Sequence, residues 1–139
     1  MAEKERFVIF AHSGSFDRLY QVATLALTAS AMDKDVYIFL FFSAFRKFTS
    51  GEMDKIDLSP DFGIPIEDFK KILTEKKIPS ISSMIRDAKK IGNVKIIACS
   101  AQLVLMNVKE AGLGEFIDDV WGLPTILNTI KGAETTLFI

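Results

Sequence analysis

Phe7-Val8-Ile9-Phe10-Ala11-His12-Ser13-Gly14-Ser15 carries the decisive transition: five apolar residues in a row, then a polar or small group of four. A short continuous apolar run bounded by turn residues reads as a buried strand feeding a polar turn. Ser15 or Asp17 is placed to cap a helix after that turn, since a side-chain oxygen there accepts a free N–H of the first helical turn. From Leu19 to Met32 no Gly or Pro interrupts, and Ala23, Ala26, Ala29 and Ala31 predict a helix that packs closely. Asp33-Lys34-Asp35 turns the chain into Val36-Tyr37-Ile38-Phe39-Leu40-Phe41-Phe42, a second strand without a polar face. Strands apolar throughout and joined by a helix are the mark of a parallel sheet covered on both sides.

The pattern continues outward. Residues 43–65 read as an irregular loop, in which Phe45 and Phe48 flank Arg46 and Lys47 while Gly51, Pro60, Gly63 and Pro65 break any long element. A helical piece is expected from about Ile66 to before Pro79. Ser80 then caps a helix carrying Ile81, Met84, Ile85 and Ala88, with Lys89 and Lys90 near its negative end. Val94-Lys95-Ile96-Ile97-Ala98-Cys99 is the third strand, with Cys99 its last residue, and Ser100 to Met106 a helical turn. Phe116 to Trp121 reads as a fourth strand, Leu123 to Ile130 as a helix with Pro124 in its first turn, and Thr135 to Ile139 as a fifth strand. The order predicts one α/β domain over residues 1–139. Its expected form is a flavodoxin-like, three-layer fold with a mostly parallel sheet of about five strands.

Composition narrows the function. Seventeen Lys+Arg against eighteen Asp+Glu leave a net charge of -1, which provides no general attraction to nucleic acid or anionic membrane. The most membrane-like stretch, Val22 to Phe42, is cut by Asp33-Lys34-Asp35, so no membrane span is expected. One cysteine excludes an internal disulfide and any Cys-x-x-Cys redox pair, and with one histidine it leaves too few soft ligands for an ordinary zinc or copper site. The charged start, Met1 to Arg6, is unlike a secretory leader, and the expected location is the cytoplasm.

In sheets of this kind ligands bind beyond the carboxyl ends of the strands. That rule gathers His12 to Ser15, Ser43 to Lys47 and Cys99 to Gln102. Cys99 at a strand end faces the unpaired N–H groups of Ser100, Ala101 and Gln102, which stabilise a thiolate, the reactive form. The plainer reading is a small buried hydrophobe. His12, Ser13, Gly14 and Ser15 read as an anion cradle at a helix start or as an ordinary capped turn. Ser43 and Arg46 belong either to an anion-attracting wall or to a surface loop. Asp118 and Asp119 are adjacent in a strand and point to opposite faces, which disfavours a paired-carboxylate site.

Ser13-Gly14-Ser15-Phe16-Asp17-Arg18, Val36-Tyr37-Ile38-Phe39 with its aromatic continuation, Ala98-Cys99-Ser100 followed by Met106, and Leu137-Phe138-Ile139 together resemble the DsrE/DsrF-like sulfur-trafficking family, in its single-domain branch labelled peroxiredoxin-like. The resemblance covers nearly the whole chain, and Ala-Cys-Ser with its downstream Met is its most specific part. It implies a flavodoxin-like fold, no cofactor, and a sulfur carrier or sulfurtransferase that holds sulfane sulfur on Cys99. Ser100, Gln102, His12, Ser13, Gly14, Ser43 and Arg46 would then line the substrate side. Partners implied are sulfur-donor and sulfur-acceptor proteins or small thiols. Two features depart from the family: Asn107 stands where a glycine is expected after the Met, and a second cysteine is missing. The alternative is a non-catalytic module that binds a small molecule or anion at the His12–Ser15 turn.

Twelve phenylalanines in 139 residues exceed the need of one small sheet. With Phe45 and Phe48 assigned to a loop, the expectation is a homo-oligomer whose interface includes them.

Overall fold

Strands that are apolar on both sides have backbone N–H and C=O groups that only neighbouring strands can satisfy. In the computed structural model, which describes residues 4–139, five of them do so; Met1–Glu3, part of the charged start, lie outside the described residues. The elements are β1 (Arg6–Ala11), α1 (Phe16–Ala31), β2 (Asp35–Leu40), α2 (Phe42–Ser50), α3 (Ile66–Glu75), α4 (Ile81–Ile91), β3 (Val94–Cys99), α5 (Ser100–Leu105), β4 (Asp119–Trp121), α6 (Leu123–Ile130) and β5 (Thr135–Phe138). A single 3-10 turn, Glu110–Gly112, lies between α5 and β4. The sheet is parallel throughout, in the order β4-β3-β2-β1-β5, so the fold is α/β and flavodoxin-like.

The order differs from the 2-1-3-4-5 of flavodoxin itself. Here four strands are laid down in one direction, and a single connection through α6 carries the chain back to the far edge. Right-handed crossovers running one way place their helices on one face, and the returning crossover goes to the other. Accordingly Ile9, Ala11, Val36, Ile38, Leu40, Val94, Ile96 and Ala98 share a core with α1, α2 and α4. Val8, Phe10, Phe39, Ile97 and Cys99 point to the opposite face, where Ile126 of α6 is the buried helical residue.

On the helical face the alanines of α1 allow α4 to approach closely. The buried Ser30 hydroxyl donates to the Ala88 carbonyl of α4 at 2.9 Å, and Ala23, Ala26 and Ala88 are almost fully enclosed. Ser80 caps α4 as expected, accepting the Ser83 N–H at 3.2 Å. Ser15 occupies the capping position of α1, yet its side chain makes no cap bond.

The stretch 43–65 is not wholly irregular, and Phe45 and Phe48 are not loop residues. They belong to α2 and are 0% and 3% exposed, which removes them as an interface. Three residues apart, they fall on one helical face, with Ala44 beside them, and Phe48 meets Phe116 edge-on with ring centroids 6.3 Å apart. The fourth strand is also shorter than expected. Phe116 is a buried core residue, and Asp118 donates its N–H to the Ile96 carbonyl at 2.8 Å while its carboxylate accepts the Ile96 N–H at 2.7 Å, so the strand proper runs only from Asp119 to Trp121. β2 stops at Leu40, because Phe42 turns to a positive φ of 47° and opens α2.

No helix among the described residues is long and apolar enough to cross a membrane.

Candidate functional site

The carboxyl ends of β1, β2 and β3 are tied together by side chains from their loops. The Gly14 N–H donates to Ser43 Oγ at 2.8 Å, and the Ser43 hydroxyl donates to the His12 carbonyl at 3.0 Å. The Phe42 N–H donates to Gln102 Oε1 at 2.6 Å, which joins the end of β2 to α5. Gln102 is 3% exposed and its amide has this backbone group as a partner, so its polar end is anchored in place. A Cβ on Gly14 would lie 2.5 Å from the Ser43 carbonyl oxygen, so the glycine is required by the approach of α2.

The three segments therefore converge in space, but their side chains split between two places. Ser13, Gly14, Ser15, Arg18, Ser43, Arg46, Lys47 and Asp57 line a cleft of about 370 Å³ beside the start of α1. Within it Lys47 is paired with Asp57 at 2.6 Å, its side chain only 11% exposed, whereas Arg46 stays exposed. Among the described residues neither Arg18 nor Arg46 forms an ion pair. His12 is exposed at the turn and Ser100 at the start of α5; neither lines this cleft, nor does Gln102.

Cys99 lies on the other face. It is the last residue of β3 and 1% exposed, packed in the cluster of Val8, Phe10, Phe39, Ile97 and Ile126, with Trp121 against it. Trp121 is the register partner of Cys99 on β4. From this pair the chain diverges, Cys99 into α5 and Trp121 through Gly122 into α6, which crosses the opposite face. The thiol thus sits where connections part to the two sides of the sheet, the usual place for a ligand crevice.

Trp121 escapes a reading of the sequence alone. Its indole N–H donates to the Asp119 carboxylate at 2.9 Å, and its ring lies 6.0 Å from Phe39 and 6.2 Å from Tyr37. The hydrogen bonds from Trp121 and from the Val120 N–H hold Asp119 below the ordinary aspartate range. A partial signal exists: it is the single tryptophan, at the end of an expected strand. Its pairing with Cys99 has no counterpart in the local pattern.

Asn107, where the resembled family has glycine, adopts a φ of 53° just beyond α5. That left-handed conformation favours glycine and is tolerated by asparagine, so the departure preserves the backbone. Among the described residues no group of three or more His, Cys, Asp and Glu side chains is placed to hold a metal ion.

No protein-family profile matches the chain, and no curated protein matches it in sequence. Solved structures do match in shape. A protein of unknown function from Bacteroides thetaiotaomicron superposes with a TM-score of 0.60 at 18% identity, covering 97% of this chain and 95% of that one. A protein of unknown function from Methanobacterium thermoautotrophicum gives 0.58 at 12%, covering 96% and 99%. These likenesses show the fold.

Proposed function

We propose that the protein is a sulfane-sulfur carrier that loads and unloads sulfur on Cys99, acting among cytoplasmic donor and acceptor thiols. The observation that carries this reading is the placement of the lone thiol at the carboxyl end of β3, opposite Trp121, where the connections part. In the loading step the Cys99 thiolate attacks the outer sulfur of a donor persulfide. The new Sγ–S bond forms as the donor's S–S bond breaks, and the donor leaves as its thiolate. Unloading is the same exchange, with an acceptor thiolate attacking the outer sulfur and Cys99 departing as the thiolate. One cysteine suffices, because each partner supplies the other thiol.

Enclosure fits a carrier. At 1% exposure the loaded sulfur is shielded from stray thiols, and the wall of Trp121 and α6 has to shift before a donor reaches it. Whole-protein mass spectrometry after exposure to polysulfide is expected to show a reducible gain of sulfur at Cys99 that Cys99→Ser abolishes. Stoichiometric loading of a folded Cys99→Ser protein, or an unmodified wild type, overturns the proposal.

A second reading, a module that binds a small anion without chemistry, rests on Arg18 and Arg46 at the 370 Å³ cleft. It predicts calorimetric binding of inorganic phosphate or sulfate that Arg46→Ala weakens.

A further inference from the structure

Phe16 and Tyr20 stand four residues apart on α1, and Phe69, Ile72 and Leu73 keep the same helical spacing on α3, so each helix presents one apolar face. The two faces meet through their rings. Phe16 lies 6.0 Å from Tyr20 and 6.0 Å from Phe69, and Phe62, in the loop before α3, meets Phe69 edge-on at 4.8 Å. Between the helices is a cavity of about 320 Å³, walled by these four rings together with Ile72 and Leu73. An apolar cavity of about 150 Å³ takes a benzene molecule, so this one has room for a ring and a short side arm.

The seating of α3 differs from that of the other helices on this side of the sheet. Both α1 and α4 bury a full stripe of residues, whereas α3 has no fully buried side chain. Its hydrogen bonds and its ion pair, Lys70 with Glu67, are local, and among the described residues no side-chain hydrogen bond ties it to another element. A second cavity of about 510 Å³ reaches Phe16 and Leu73 from elsewhere along the helix. A helix held by a few half-buried apolar side chains opens at low cost, which gives a ligand its way in.

One charged side chain lines the 320 Å³ cavity, and it is an acid, Asp17. One of its oxygens accepts the Ser59 N–H at 2.9 Å and the other the Ser59 hydroxyl at 2.6 Å. A carboxylate has about four acceptor sites, so capacity for a further donor remains. Among the described residues Asp17 forms no ion pair. The basic neighbours are turned to other places: Lys70 and Lys77 line the second cavity, and Arg18 lines the clefts beside the start of α1.

We propose that this cavity binds a small organic ammonium ion with an aromatic body, the four rings enclosing the body and the Asp17 carboxylate meeting the charge. Aromatic rings attract a cation to their faces through the ring quadrupole, and an ammonium group taken out of water needs an anionic partner. A carboxylate ligand of the same shape meets Asp17 with like charge and is rejected. A neutral one fills the rings but gains nothing from Asp17. The site lies on the helical side of the sheet, apart from Cys99, and stands whether or not Cys99 carries sulfur.

Calorimetric titration of the full chain at neutral pH with phenethylamine, which is protonated there, is expected to show one site per chain. Phenethyl alcohol should bind about tenfold more weakly, and phenylpropionate should not bind. Asp17→Asn should weaken the amine about tenfold and leave the alcohol unchanged. Phe69→Leu keeps an apolar wall without the ring and should weaken the amine about threefold, which tests the site should Asp17→Asn fail to fold. Arg46→Ala, outside the cavity, should change nothing. Absence of amine binding at millimolar concentration overturns the proposal. So does equal affinity for the alcohol or the propionate, or an amine affinity that neither Asp17→Asn nor Phe69→Leu moves.

Discussion

The two faces of the sheet are made by alternate residues of the same strands, yet they are finished differently. On one, α1, α2 and α4 close a continuous core of small and branched side chains, and Ile9, Ile38, Ile85 and Ile96 are fully enclosed. On the other, one short helix lies over stacked rings, and Phe138 at the edge is mostly open. The difference teaches where stability and the proposed chemistry are separated. Burial and cavity terms concentrate on the helical face, while Cys99 lies under the lightly roofed face, where local opening costs least.

The largest expected effect tests that asymmetry directly. Phe45→Ala on the helical face should cost about 3–5 kcal/mol in urea unfolding, by lost transfer energy plus the cavity left behind. Phe138→Ala should cost under about 0.5 kcal/mol. Equal losses would break the comparison.

Gly14→Ala comes next. The added methyl would press on the Ser43 carbonyl at 2.5 Å, so the α2 start must move, with an expected loss of about 1–3 kcal/mol. The same variant should disturb the cleft beside α1 while leaving sulfur loading at Cys99 intact, which sharpens the separation of the two places. Loss of loading with an unchanged melting temperature would join them into one site.

The smallest effects are in acid. Burial raises the Asp17 carboxyl, but the Ser59 hydroxyl and N–H, at 2.6 and 2.9 Å, outweigh it and hold Asp17 below the ordinary aspartate value. A depressed folded value means the contribution is complete above about pH 3.9 and is lost as pH falls through the folded value. Asp17→Asn should therefore flatten the acid limb of the unfolding curve measured by circular dichroism. Asp119, also depressed, acts on the other face: below the same pH its hold on Trp121 weakens. Fluorescence of the single tryptophan should shift in that window, and Asp119→Asn should remove the shift without altering the Asp17 limb.

Much of the fold is legible in local pattern. Val94 to Cys99 reads as a strand because six residues with one charge and no breaker suit a buried strand better than a loop, and Ser80 reads as a cap because its oxygen has one near partner. The α2 segment is not legible in this way, since Phe-Arg-Lys-Phe between breakers looks like an anchored loop when the packing partner Phe116 is distant in sequence and Ala44 carries little weight. The candidate site is half legible: the carboxyl-end rule brings His12, Ser43, Arg46 and Cys99 to one edge, but not the face each side chain takes.

By itself, the sequence determined the α/β class, the parallel sheet, the position of Cys99 at a strand end and the exclusion of dithiol chemistry, because periodicity, turn residues and residue counts are local properties. Tertiary structure alone decided that β5 lies beside β1, that α6 roofs one face unaided, and that Trp121 stands opposite Cys99. Those outcomes depend on which way each crossover turns. A strand apolar on both sides fits either side of its neighbour equally well, so only the packing of the whole chain selects one.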